Sequence, residues 1–434
     1  MSSSTGRTQP CPRLSPGPIV TTARTNPNPE TFDVTVCEAV LDFGKAVRVE
    51  ESGAVLPVAT AEPRRIVVMG DTGCYSGQGC GDPKAWPFGA FATAAAEAPP
   101  DLVVHVGDYN YRGTPGTIDV DGEKLRTYDA GDGLPPPQCL SAQHPYVSQN
   151  VPGRAAWDSW QTWRDDFFVP ARPLLAAAPW AFVRGNHELC SRAGPGYFYL
   201  LDPHSDLLGG ELSCPLQQDG DDPLPYVVFI PPARLELGAL RLVLMDSANA
   251  CDFGTNYPTT FARQFNSLLD LDEGDGPAWL ATHRPLWGVE EDASDPGTFQ
   301  IGSVSLQEAL RRSRLEGSLP ESVQLVLSGH MHQFESVTFG PGTGRPPQLI
   351  VGNSGVGLTN SPLIGPFAMP LDGEPAKGLS LIEFGYLELS LQADGGWHGQ
   401  VVDPRPFPPE VLADCGTTEL NTKGRVCLRA SPEG

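Results

Sequence analysis

The chain has 434 residues, 40% of them hydrophobic, which is enough to bury one large or two modest domains and excludes a disordered chain. Its 29 lysines and arginines stand against 52 acidic residues, a formal charge of −23, which repels phosphate backbones and anionic lipid and argues against a nucleic-acid polymer as partner. No apolar run approaches the roughly 18 residues of a membrane span, so a soluble protein without a membrane partner is expected.

Residues 1–62 are rich in Pro, Ser and Thr and read as an extension packed on the main body, with one alternating stretch, Thr31 to Val36, expected to be a strand. From Arg65 the pattern changes to short apolar runs ending abruptly in polar or glycine turns: RIVVMGD, DLVVHVGD, WAFVRGNHE, LRLVLMDS, PAWLATH and VQLVLSGH. These read as buried strands whose C-terminal ends carry chemistry. Helices are expected over 86–98, 155–168, 259–270 and 304–315, and their alternation with the strands implies an α/β fold. The Gly/Pro/Asp-rich stretches 112–153, 202–225 and 287–302 are too long for simple connections and read as walls of a site. QLIVGNSGVG at 348–357 is a further strand and tight glycine turn, and GLSLIEFGYLELSLQ at 378–392 reads as a terminal hairpin.

Ten cysteines show no CxxC spacing and form an even set, which points to disulfides and an oxidising compartment, secreted or periplasmic. Met1 to Val20 holds no signal peptide, so a leader is expected to have been removed. A Cys74–Cys80 bridge would pin the loop after Asp71, and Cys190 would do the same for a second loop, with Cys214 or Cys139.

The polar residues at the strand ends are Asp71, Asp108 with Tyr111, Asn186 with His187 and Glu188, His283, and His330 with His332. In open α/β sheets such positions converge on one crevice. His330 and His332, two apart, would face one side at strand spacing. An oxygen-rich set of Asp71, Asp108, Tyr111 and one histidine suits a hard trivalent ion such as Fe(III), while Asp108, Asn186, His283 and the other histidine suit divalent Zn, Mn or Fe. Asp108 would bridge. Two such ions can clamp phosphate oxygens and lower the pKa of a bound water to make a hydroxide nucleophile. His105, inside an apolar run, reads as a satisfied core histidine, and His144, His204 and His398 as solvated. Trp157, Trp160, Gln161 and Arg164 read as a packing face.

GDTG at 70–73, GDYNY at 107–111, GNHE at 185–188, LATH at 280–283 and GHMH at 329–332 resemble, in order, the five motifs of calcineurin-like metallophosphoesterases. Most members carry a histidine where this chain has Gly73. Gly73 together with Tyr111 resembles the purple acid phosphatase type. That resemblance implies a four-layer α/β/β/α sandwich of two mixed β-sheets, with a catalytic domain over 63–400 and a disulfide-tethered tail over 401–434. It implies that Asp71, Tyr111 and His332 hold Fe(III), that Asn186, His283 and His330 hold the divalent ion, and that Asp108 is shared. His187 would contact the phosphoryl group or protonate the leaving oxygen, with Glu188 orienting its ring. The substrate implied is a small phosphate monoester; a phosphodiester or nucleotide is the alternative, and a non-catalytic phosphate- or metal-binding protein the third reading. Plant members carry further histidines after the fourth motif, where this chain has Arg284, Pro285, Leu286 and Trp287, and an N-terminal β-sandwich for which 62 residues are too few.

Overall fold

Valine, isoleucine and leucine runs too short for a helix can satisfy their backbone only in a ladder, and here all but those at the sheet edges pair on both sides. The computed structural model describes residues 10–75, 77–112, 158–190, 192–202, 213–214, 228–238, 240–273, 276–392, 396–416 and 426–430, with the backbone of 116–120 and 123–127. The chain first lays down Arg65–Met69 (β1), Leu102–His105 (β2) and Trp180–Phe182 (β3), mutually parallel. It then builds a second sheet from Ala233–Leu237 (β4), Leu240–Met245 (β5), Ala278–Thr282 (β6), Val323–Ser328 (β7), Phe334–Phe339 (β8), Gln348–Val351 (β9), Gly365–Leu371 (β10) and Glu374–Leu381 (β11). Finally it returns to the first sheet with Tyr386–Leu391 (β12), Trp397–Asp403 (β13), Glu410–Gly416 (β14) and Cys427–Arg429 (β15). The orders are β15-β14-β13-β12-β1-β2-β3 and β4-β5-β6-β7-β9-β8-β11-β10. Both sheets mix parallel and antiparallel pairs.

The inner faces share one core, to which β1 gives Ile66 and Val68, β6 Trp279, β7 Leu325 and Leu327, and β12 Leu387 and Leu389. Outside the first sheet, Val67, Met69 and Val103 pack on the helix Phe88–Glu97 (α1) and on Trp163, Phe167 and Leu174. These last belong to a continuous helical segment: Trp160–Trp163 (α2), a wide turn over Arg164–Phe168, and Val169–Leu175 (α3). The segment runs beyond the expected end at 168, with Pro170 in the first turn of α3 and Pro173 inside it. Gly194–Leu200 (α4), not foreseen, packs on the same layer. Outside the second sheet, Val243, Leu280 and Val326 meet Pro258–Asn266 (α5) and Val304–Arg312 (α6). Helix, sheet, sheet and helix give the four-layer α/β/β/α sandwich.

Three expectations are corrected. Residues 378–392 are not a hairpin: β11 pairs with β8 and β10, whereas β12 pairs with β1 and β13 across the sandwich. Leu379, Leu381, Leu387 and Leu389 all enter the shared core, so the apolar pattern of one hairpin and of two strands on facing sheets is the same. Thr31 to Val36 is not a strand; the side chains of Asn26 and Tyr199 take up its backbone groups, with the Tyr199 hydroxyl donating to Val34 O at 2.6 Å and Asn26 Nδ2 to Phe32 O at 2.7 Å. The boundary expected at 400 falls inside β13, and β14 and β15 extend the same sheet, joined by Cys415–Cys427. The N-terminal segment is clipped by Cys11–Cys37 and lies on the body through Phe32, which packs on the Tyr199 ring, and Arg24, which donates to Phe198 O and Tyr199 O.

Candidate metal centre

Each of three strands, β1, β2 and β7, ends in a glycine followed by a residue forced into left-handed backbone: Asp71 at φ 55°, Asp108 at φ 61° and His330 at φ 72°. Non-glycine residues adopt this conformation only where the surroundings impose it, and such positions cluster at functional sites. At Gly107, φ is 103° and an added Cβ would lie 2.4 Å from His283 Nδ1, so the turn that presents Asp108 tolerates no side chain. His330 and His332 sit in the turn after β7 rather than on a strand, so strand spacing is not what brings them together.

All seven expected ligands meet in one crevice. The Tyr111 hydroxyl lies 2.8 Å from Asp71 Oδ1, 2.9 Å from Asp108 Oδ2 and 3.1 Å from His332 Nε2. On the other side of Asp108, His283 Nε2 is 3.3 Å from Oδ1 and 2.9 Å from Asn186 Oδ1. Asp108, His283 and His330 offer ligand atoms within 4.8 Å of one another. The first group gives one phenol proton to three acceptors, and the second gathers acceptors around a ring nitrogen; a cation is what such donor sets bind. The residues therefore fit the implied ions.

The electrostatics follow from burial. It pushes the Asp71 carboxyl up to about 7, with Asp108 adding to the rise and His283 opposing it. It works in the same direction on Asp108, yet His283 and His187 beside it hold that carboxyl well below its usual range. His283 is raised to about 9 against burial by the charges of Asp108 and Asp71.

Gly73 explains the exchange with Tyr111. A Cβ at 73 would stand 2.5 Å from Tyr109 O and 2.7 Å from Tyr111 Cδ2, because the tyrosine ring and its backbone fill the space a larger residue would need. The Cys74–Cys80 bridge closes the loop behind it, and Cys190 pairs with Cys214; Cys139 lies outside the described residues. The glycine turn lies against the site, with Val356 N donating to Asp71 O at 2.7 Å and His332 Nδ1 donating to Gly357 O at 3.1 Å.

The His187 ring packs on Tyr111 at 3.9 Å between centroids with the planes tilted by 35°, its backbone N–H donates to Asp108 Oδ1 at 2.9 Å, and its Nδ1 has no hydrogen-bond partner among the described residues. Glu188 does not reach that ring through a hydrogen bond. Its two oxygens instead accept from the backbone N–H groups of Gly185, Asp108, Tyr109 and Asn110, at 2.9–3.1 Å. It thus ties the second and third motifs together, a bond set no side-chain pattern announces.

Ser247, at the end of β5, accepts from His283 N and Arg284 N and holds the turn carrying His283. Asp252 was not foreseen: its Oδ2 is 3.0 Å from His330 Nε2 and it pairs with Arg284, whose Nη1 lies 2.8 Å from the same Nε2. Its sequence surroundings, NACDFG, carry no signal that would single it out. His105 is a satisfied core histidine, bonded to Thr72 Oγ1 at 2.8 Å and stacked on Tyr109. His398 pairs with Asp414. Most of the expected walls at 112–153 and 202–225, with His144, Trp157 and His204, lie outside the described residues, while 287–302 forms a small ladder, Glu290–Glu291 with Phe299–Gln300.

Buried carboxylates, a phenol, an amide and three histidines thus gather at the strand ends of a two-sheet sandwich, a donor set suited to metal ions. The chain belongs to the calcineurin-like phosphoesterases, whose family model matches residues 64–334. Among solved structures it is similar to a purple acid phosphatase from yellow lupin (Lupinus luteus) seeds, at 14% identity and a TM-score of 0.46, covering 89% of this chain and 66% of that one, a little under two thirds of its length. It is also similar to a dimetal phosphatase from Danio rerio, at 13% identity and a TM-score of 0.35, covering 78% and 96%. No curated protein matches the chain by sequence.

Proposed function

We propose that the chain is a two-metal phosphomonoesterase of the purple acid phosphatase type. What carries the reading is the position of Asp108, with one oxygen on the Tyr111 hydroxyl and the other beside His283 and His187 N. Asp71, Tyr111 and His332 are the hard and aromatic donors suited to Fe(III); Asn186, His283 and His330 suit Zn, Mn or divalent Fe; and Asp108 serves both. When bound, the ions supply a nucleophile from water and neutralise charge on the phosphoryl oxygens. The protein's own part is orientation. Val106 O accepts from His283 Nδ1 at 2.8 Å and Gly357 O from His332 Nδ1, so both rings turn Nε2 inward. His187, partly open to solvent at 14% and neutral because burial pulls its pKa down, would give an N–H to a phosphoryl oxygen. The disulfides support a secreted or periplasmic setting, and among the described residues no helix is long and apolar enough to cross a membrane.

The test is metal analysis and a visible absorption spectrum of the purified protein, followed by turnover of p-nitrophenyl phosphate. Iron with a broad band that vanishes in Tyr111→Phe is the expected result. A colourless, active protein holding only zinc or manganese overturns the iron assignment, and a protein loaded with two ions but inert towards phosphate esters overturns the hydrolase.

A further inference from the structure

Three imidazoles enter the centre, and each must have its outer nitrogen fixed before its inner one can be aimed. For two of them the outer partner is a backbone carbonyl: Val106 O for His283 and Gly357 O for His332. His330 is different. Its Nε2 lies 3.0 Å from a carboxylate oxygen, Asp252 Oδ2, and that carboxylate is in turn paired with Arg284, the residue directly after His283. A carboxylate accepting the outer N–H fixes the tautomer with the other nitrogen free and makes the ring a stronger donor than a carbonyl does. The neighbouring guanidinium offsets the added charge.

Asp252 is also built in. The carbonyl and N–H of Cys251, one residue before it, are held by groups at the head of α6 and by Asn256: Ser303 Oγ donates to Cys251 O at 2.7 Å, and Cys251 N donates to Asn256 Oδ1 at 3.0 Å and to Ser305 Oγ at 3.2 Å. Asp252 O itself accepts from Val304 N at 3.1 Å. Ser303 and Ser305 are fully buried and Asn256 nearly so. Arg284 is placed from the other side through its N–H to Ser247 Oγ at 2.8 Å. Two separate polar networks thus converge on one ring nitrogen.

We propose that Asp252, braced by Arg284, is the positioning residue of the metal position served by His330, and that it makes this position the tighter of the two for a divalent ion. The inference rests on the two-metal reading above. It assigns no contact with substrate to either residue.

The experiment titrates zinc(II) into the metal-stripped full chain in competition with a chromophoric chelator, for the wild type, Asp252→Asn and Asp252→Ala. Circular dichroism of the metal-free proteins checks that they are folded. The wild type should take up two equivalents. Asp252→Ala should weaken the tighter equivalent about 10- to 100-fold and leave the other unchanged. Asp252→Asn, which keeps a neutral acceptor of nearly the same shape, should fall between the two, and it supplies the result if the alanine variant does not fold. Two equivalents bound as tightly as in the wild type in both variants, or an equal weakening of both equivalents, overturns the inference and leaves the two-metal reading standing. A wild type that binds no zinc overturns both together.

Discussion

Glu188→Ala removes the acceptor of four buried backbone N–H groups at once, those of Gly185, Asp108, Tyr109 and Asn110. A buried donor left without a partner costs about 1–3 kcal/mol, and water entering the space left by the side chain recovers part of it, so the low end applies to each group. Four groups at about 1 kcal/mol give a loss of roughly 4 kcal/mol, at the upper edge of what single substitutions do. Glu188→Gln keeps one acceptor oxygen and turns an NH2 towards the remaining donors, so about half the loss, roughly 2 kcal/mol, is expected. Urea denaturation of the metal-stripped protein, followed by tryptophan fluorescence, measures both. The order wild type, Gln, Ala is the expected result. An alanine variant within about 0.5 kcal/mol of the wild type, the range of an ordinary surface change, would refute the bridging role and leave the orientation of His187 as the better account of Glu188.

Gly73→Ala forces a Cβ to within 2.5 Å of Tyr109 O, a backbone atom that cannot swing away, and should cost about 1–3 kcal/mol while weakening any absorption band that depends on Tyr111; a variant as stable as the wild type would contradict the packing. The Asp71 carboxyl is raised from 3.8 to about 7, so the folded metal-free protein holds a proton that the unfolded chain releases, and this contribution is complete below about 4 and lost as pH rises towards 7. Metal-free Asp71→Asn should therefore lose less stability than the wild type between those limits in urea titrations, and parallel curves would count against it. Replacing both Cys74 and Cys80 by serine opens a loop closed at a sequence separation of 6 and should lower stability by about 2 kcal/mol in thermal melts with zinc stoichiometry unchanged; a loss of zinc would mean that the bridge positions Asp71.

The sequence disclosed most where one residue carries its own meaning. GD after an apolar run located Asp71 and Asp108 because a buried strand must end in a turn that glycine permits, whereas the two-sheet layering was implied by the resemblance of the five motifs to the metallophosphoesterases and not by the runs themselves. What stayed hidden was pairing. Nothing in GLSLIEFGYLELSLQ says that its two halves belong to different sheets, since Leu381 and Leu387 bury the same apolar surface either way. Asp252 stayed hidden for a related reason: its partners, at 284 and 330, are set by where three separate loops end in space. Glu188 was legible as a residue of the site, but not as the one that ties the backbone of two motifs together.

The closing strands of the first sheet bear on how the protein is made. β1, which delivers Asp71, pairs on one side with β2 and on the other with β12, where Leu387 lies opposite Val68. A chain emerging from the ribosome therefore holds the first ligand strand with an open edge until more than 300 further residues have been synthesised, and long-range closure of that kind is slow. A fragment ending before residue 386 would keep all seven ligands and still present β1 as an unpaired edge, an invitation to aggregation rather than to metal.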